Sequence, residues 1–247
     1  MASRVVLVHG FTQTSRCWSP FDGMLDARFD YRFLDAPGHG DAAHLALDAR
    51  AAAAHLARQG GDGVYVGYSM GGRLCLRIAL DHPTHVQGLV LVSASPGIAD
   101  AAARRERVQR DELLADRIEV LGVAAFLDEW LAQPLFAHLT TANAHREERL
   151  HNTAAGLASS LRLAGTGAQE PLWDRLRELS MPVLVITGSL DQKYVSIGRQ
   201  MVAAIGPNAT FAEITTAGHS APLEAPGATA QVVNDWLASF AATRGTR

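Results

Sequence analysis

A chain of 247 residues with 48% hydrophobic and 19% charged residues has the composition of a globular protein, which argues against disorder. Its formal net charge of -3 leaves no basic excess for nucleic acid or an anionic membrane surface. The opening "MASRVVLVHGF" lacks the basic segment and long apolar run of a signal peptide, and no apolar run approaches a membrane span, so the expectation is a cytoplasmic protein. Cys17 and Cys75, the two cysteines, form neither a metal pattern nor a disulfide framework, and Cys75 is expected inside a helix core.

The first apolar run, Arg4 to Gly10, reads as a strand, as does Tyr31 to Gly38. An alanine-rich segment, Leu45 to Arg58, reads as a helix. Gly63 to Ser69 is the next strand, and "GGRLCLRIALDHP" is a helix ended by its proline. Val86 to Ala94 follows as a strand. Most of these runs are continuously apolar, as strands buried on both faces of a parallel sheet are. Residues 97–178 break the rhythm: they hold many arginines and acids and no convincing strand. Three amphipathic helices are expected there, at residues 100–121, 123–133 and 144–165. Beyond them, Met181 to Gly188 and Thr210 to Gly218 read as strands, and Ser196 to Ile205 and Ala228 to Ala241 as helices. Strand alternating with helix predicts an α/β fold, a mostly parallel central sheet with helices on both faces. The predicted organisation is a core of residues 1–96 and 179–247, with residues 97–178 as a helical lid over the C-terminal ends of the strands, where such folds bind ligands.

Gly67-Tyr68-Ser69-Met70-Gly71 fits G-x-S-x-G, with a strand before it and a helix after it. In that setting a serine sits on a strained turn whose glycines let strand and helix approach. Its hydroxyl needs a base, which needs an orienting carboxylate. Asp191 follows the strand that begins near Pro182, and His219 follows the last strand, so both leave C-terminal strand ends in the order Ser, Asp, His. Ser69, Asp191 and His219 are therefore the candidate catalytic residues. The backbone N–H groups of Met70, at a helix N-terminus, and Phe11, after the first strand, are the candidate oxyanion donors. Asp35 reads as a turn cap in "LDAPGHG" and His9 as packing.

"HGF", "DAPGHG", "GYSMGG", "GSLD" and "AGH" occur in the order found in the α/β-hydrolase superfamily, which the whole chain resembles. The resemblance implies the α/β-hydrolase fold. A serine at the elbow argues against epoxide hydrolases and dehalogenases, whose nucleophile is an aspartate. A narrower resemblance lies in "GYSMGGR", "SPGI" followed by "RRERVQRD", "DEWLAQPLF", "RLHNTAAGLASSLR" and "LDQK". These look like the 2-succinyl-6-hydroxy-2,4-cyclohexadiene-1-carboxylate synthases of menaquinone biosynthesis. That family keeps a Ser-Asp-His triad yet acts as a lyase, eliminating pyruvate from a ring bearing several carboxylates. The resemblance implies substrate-binding roles for Arg73, Arg107, Trp130, Arg149 and Lys193, and Tyr68 beside the serine joins them. "DAPGHGDA" departs from the pattern in lacking the serine that often follows "GHG".

A polycarboxylate substrate needs cations around the serine, whereas a neutral ester does not. Arg73 lies one helical turn past Ser69 and Lys193 lies on the loop of Asp191, although isolated surface cations are usually only solvated. The arginine run at 104, 105, 107 and 110 must be mostly solvent-facing, and Trp130 equally suits a lid core. The expected reaction is proton abstraction beside the succinyl ketone by Ser69, the enolate oxygen held by Phe11 and Met70, and loss of pyruvate without an acyl-enzyme. No metal or organic cofactor is implied, and the expected partner is a small polycarboxylate. The alternatives are a serine hydrolase of an ester, a lactone or a carbon–carbon bond next to a ketone, and a non-catalytic binding protein. The oligomeric state is not specified by these residues.

Overall fold

Six strands form one sheet in the order β2-β1-β3-β4-β5-β6, every neighbouring pair parallel. They are β1 (Arg4–Val8), β2 (Asp30–Leu34), β3 (Gly63–Tyr68), β4 (Val86–Val92), β5 (Val183–Gly188) and β6 (Ala209–Ile214). The computed structural model describes residues 3–245. The continuous apolar runs are explained by the two faces of the sheet. Val6, Val8, Leu89, Leu91, Val183 and Val185 join one core, while Val5, Leu7, Val90, Val92, Leu184 and Ile186 join the other. Burying both faces removes the alternation that a half-exposed strand would show.

Helices α1 (Ala49–Gly60), α2 (Met70–Asp81) and α6 (Gln192–Ile205) cover the first face, and α8 (Pro226–Gly245) covers the second with Trp18 and Phe21. Side-chain caps set where two of these helices begin. Asp48 accepts a hydrogen bond from the Ala51 N–H at 2.8 Å, so α1 starts four residues after the expected Leu45. Asp191 accepts from the Tyr194 N–H at 3.3 Å, so α6 starts four residues before the expected Ser196. The short α7 (Ala221–Glu224) precedes α8. No helix among the described residues is long and apolar enough to cross a membrane.

Between β4 and β5 the described chain is helical or irregular throughout. α3 (Ala101–Leu131) covers both of the first two expected helices, which meet at Gly122 with φ 72° and ψ 170°. The third expected helix, at 144–165, is corrected: it is two helices, α4 (Arg146–Arg149) and α5 (Ala154–Ala164). Thr153 caps α5 by accepting from the Gly156 N–H at 3.1 Å, and the Asn152 side chain donates back to the carbonyl of Arg149, the last residue of α4, at 2.9 Å. Capping residues with local backbone bonds end one helix and start another where periodicity alone reads straight through. α3 and α5 share a separate small core of Ala115, Ile118, Phe126, Leu157, Ala158 and Leu161.

The chain runs from β1 outward to β2, then returns to lay β3 on the other side of β1. The loops after β1 and β3 therefore diverge and leave a crevice at the C-terminal ends of these strands.

Candidate active site

Ser69 joins β3 to α2 with φ 51° and ψ −108°, a backbone that a non-glycine residue adopts at a cost. Its neighbours permit this. A Cβ on Gly67 would lie 2.5 Å from the Gly71 carbonyl oxygen, and one on Gly71 would lie 2.0 Å from that of Val8. The close approach of helix and strand aims the serine out of the sheet.

Ser69 Oγ lies 3.0 Å from His219 Nε2. His219 Nδ1 lies 2.8 Å from Asp191 Oδ2. Because the carboxylate accepts at Nδ1, the neutral ring carries its proton there and leaves Nε2 free to accept from the serine hydroxyl. Three residues from three separate loops thus make one continuous chain of hydrogen bonds. Asp191 also caps α6 through Oδ1, so one carboxylate fixes both the helix start and the imidazole. Glu224 holds the histidine loop on either side, accepting from the N–H groups of Gly218 and Ser220. Tyr194 closes the arrangement, its ring edge-on to the His219 ring with centroids 4.6 Å apart. Neither Glu224 nor Tyr194 is distinguished by the sequence, since each acts through the tertiary position of its loop.

Met70 opens α2, and its N–H is one of the first-turn donors that a helix cannot satisfy internally. Phe11 belongs to a loop held from several sides. Thr12, fully buried with φ 66°, donates its N–H to His39 Nε2 at 3.3 Å. The Thr12 carbonyl accepts from Asn152 Nδ2 at 2.7 Å, and its hydroxyl accepts from Arg149. Phe11 and Met70 both line the cleft. His9 is fully buried and Ala36 N–H donates to its Nε2 at 3.1 Å, while Asp35 accepts from the Ser15 and Asp41 N–H groups at 2.6 and 2.8 Å. Both are packing and turn residues, as their sequence setting suggests.

The cleft encloses about 170 Å³ beside Ser69 and His219. Its lining includes Tyr68, Arg73, Arg107, Trp130, Arg149 and Lys193, so the six residues expected to bind substrate all face one cavity. Their states differ. Arg107 is already paired with Asp111, Nε to Oδ1 at 2.7 Å. The Tyr68 hydroxyl is committed to Ser220 Oγ at 2.6 Å, which leaves its ring as a wall. Trp130 stacks edge-on to Phe11, and its indole N–H is buried without a partner among the described residues. Arg73 and Arg149 are 8% and 1% exposed, and neither has an ion pair among the described residues. Arg73 donates to the Ala164 carbonyl at 3.0 Å and to Gln169 Oε1 at 2.7 Å. Arg149 donates to the Ala144 carbonyl at 2.7 Å and to Thr12. Burial pulls the Arg73 pKa down to about 10, which still leaves it cationic at neutral pH. Two buried guanidinium groups with only neutral acceptors are a standing demand for an anion. Gln13, Ser160 and Thr166 add polar groups to the same walls; their isolated positions gave no motif to find them by.

A family model described as "Alpha/beta hydrolase family" matches residues 5–232. A putative 2-succinyl-6-hydroxy-2,4-cyclohexadiene-1-carboxylate synthase of Bacillus subtilis (strain 168) is 35% identical over 254 residues, covering 96% of this chain and 90% of that protein. The 2-succinyl-6-hydroxy-2,4-cyclohexadiene-1-carboxylate synthase of Serratia proteamaculans (strain 568) is 31% identical, covering 83% of this chain and 81% of that protein. Among solved structures, MenH from S. aureus superposes with a TM-score of 0.90 at 29% identity, covering 96% of this chain and 94% of that one. With its parallel sheet, its strained serine between β3 and α2, and a family match running through nearly the whole sheet, the chain belongs to the alpha/beta hydrolase family.

Proposed function

We propose that the protein is a lyase of the menaquinone pathway that eliminates pyruvate from 2-succinyl-5-enolpyruvyl-6-hydroxy-3-cyclohexene-1-carboxylate, as the name of its relatives implies. The observation that carries the reading is the pair of buried arginines, Arg73 and Arg149, that have no counter-ion among the described residues and face the cavity that holds Ser69. A substrate bearing several carboxylates supplies the missing anions. A neutral ester would leave both cations uncompensated in the bound complex.

The reaction begins with Ser69 as base. His219 Nε2 takes the serine proton, and Ser69 Oγ removes the proton on the carbon beside the succinyl ketone. Asp191 stabilises the imidazolium that forms. The ketone oxygen becomes an enolate held by the N–H groups of Phe11 and Met70. The electron pair returns through the ring alkene and breaks the carbon–oxygen bond to the enolpyruvyl group. The departing enolpyruvate gains a proton, returned by way of His219, and leaves as pyruvate. No covalent intermediate forms. Residues 97–178 act as a lid: they supply Arg107, Trp130 and Arg149 and cover the crevice above Ser69.

Purified protein supplied with that substrate is expected to release pyruvate, with the rate abolished in Ser69→Ala. Aryl esters run in parallel test ordinary hydrolysis. Fast ester turnover without pyruvate release would replace the lyase reading with the hydrolase one. Unchanged activity in Ser69→Ala would remove the serine from the mechanism.

A further inference from the structure

Arg73 and Arg77 lie one turn apart on α2, and the segment after α5 docks on both through adjacent residues. Glu170 pairs with Arg77 at 3.3 Å, and Asp81 adds a second carboxylate at 3.1 Å. Gln169, the preceding residue, meets Arg73 at 2.7 Å with an amide oxygen instead. The only other acceptor of Arg73 among the described residues is the carbonyl of Ala164, the last residue of α5, where the helix presents the negative end of its dipole. Asp111, a carboxylate close enough to act on Arg73 through space, is bonded to Arg107 and makes no ion pair with Arg73 among the described residues. The arginine facing away from the cavity is thus neutralised by two acids, and the arginine lining it receives none.

Gln169 is itself 2% exposed and does not line the cavity. Its orientation is fixed, since a guanidinium only donates and must meet the amide oxygen. The amide nitrogen then points away, buried and without a partner among the described residues. A buried polar atom left unsatisfied is a cost accepted for what the other end of the side chain does.

We propose that Gln169 is a positioning residue: its neutral amide fixes the Arg73 guanidinium at the cavity wall without cancelling its charge, and so reserves Arg73 for a carboxylate of the substrate. A glutamate here would hold the same geometry and supply the anion internally. An apolar residue would keep the charge and lose the orientation. The inference rests on the polycarboxylate reading of the site.

The test compares full-length wild type, Gln169→Glu and Gln169→Leu in three measurements. These are pyruvate release from the substrate above, calorimetric binding of tricarballylate as a simple tricarboxylate probe, and the rate at which a neutral phosphonate ester inactivates Ser69. Losing one charge-assisted contact corresponds to roughly a tenfold to hundredfold weaker interaction. Gln169→Glu is expected to raise KM and the tricarballylate Kd by about that factor, with kcat changed by less than about threefold and phosphonate reactivity unchanged. Gln169→Leu is expected to raise both constants less, again with phosphonate reactivity unchanged. If one variant fails to accumulate, the other is read alone by the same criterion. Unchanged KM and Kd in a folded Gln169→Glu overturns the inference. So does a loss of phosphonate reactivity parallel to the loss of binding, because a merely structural residue would disturb both. Wild-type protein that releases no pyruvate defeats the proposed reaction but not this inference, which is then read from tricarballylate binding; wild type that binds no tricarballylate defeats the inference.

Discussion

Arg73 and Arg77 offer a comparison in which burial is matched and charge compensation is not. Arg73→Met keeps an apolar stem of similar length and removes the cation. With Arg73 binding a substrate carboxylate as proposed, the loss of that charge-assisted hydrogen bond, about 1.5–3 kcal/mol, is expected to lower kcat/KM roughly 10- to 150-fold. Stability moves little, for opposing reasons. Removing a buried cation with no counter-ion relieves a desolvation cost of several kcal/mol, while the stranded Ala164 carbonyl and Gln169 Oε1 cost about 1–3 kcal/mol each. A melting temperature within about 4 °C of wild type is expected for a chain of this size. Arg77→Met should behave oppositely. It breaks ion pairs to Asp81 and Glu170, but Asp81 keeps Arg175 at 2.7 Å and the Glu170 side chain is 65% exposed. The usual cost of breaking a buried pair is therefore reduced to about 1–2 kcal/mol, or roughly 2–8 °C in melting temperature, with KM unchanged. Thermal melts and steady-state pyruvate release on the two variants decide the matter. An Arg73→Met protein that melts far below wild type while keeping its KM would refute the claim that this cation is held for substrate.

Two further outcomes follow from the geometry. Asn152 accepts from the Gly40 N–H at 3.0 Å and donates to the carbonyls of Thr12 at 2.7 Å and Arg149 at 2.9 Å, tying the helical segment to the loop that carries Phe11. Asn152→Leu should destabilise by about 2–5 kcal/mol in urea titrations and lower kcat, and a loss under about 1 kcal/mol would show that the tie is dispensable. Burial, aided by neighbouring His9, pulls the His39 pKa down to about 3 while its Nε2 accepts from Thr12 N–H. Between the unfolded value near 6.5 and about 3 the unfolded chain binds the extra proton, so stability is lost as pH falls through that window, by at most about 1.4 kcal/mol per pH unit. His39→Gln, which can make the same bonds, removes that slope. The stability difference between wild type and variant should shift against wild type from pH 7 to pH 4 in chemical denaturation, and a constant difference would contradict the buried neutral imidazole.

The sheet was legible in the chain because strands buried on both faces leave continuous apolar runs, and all six were read within a few residues of their ends. The serine turn was legible because the close start of α2 against β3 excludes a Cβ at Gly67 and its approach to β1 excludes one at Gly71, a demand written locally as glycine. Asp191 and His219 were readable for the same kind of reason, each following its strand at the C-terminal edge of the sheet. Helix boundaries were less so. Asp48, Asp191 and Thr153 reset them through side-chain bonds that periodicity does not record, and the segment at 144–165 split in two on that account.

By itself, then, the sequence determined the α/β sheet, the strained serine and the order of its partners, since these depend on residue type at fixed local positions. Only the tertiary structure decided which cations are spoken for. Arg73, Arg77, Arg107 and Arg149 are the same residue type in the chain. Folding sets acids against Arg77 and Arg107 and leaves Arg73 and Arg149 with neutral acceptors, because a counter-ion is supplied by whichever distant segment packs alongside.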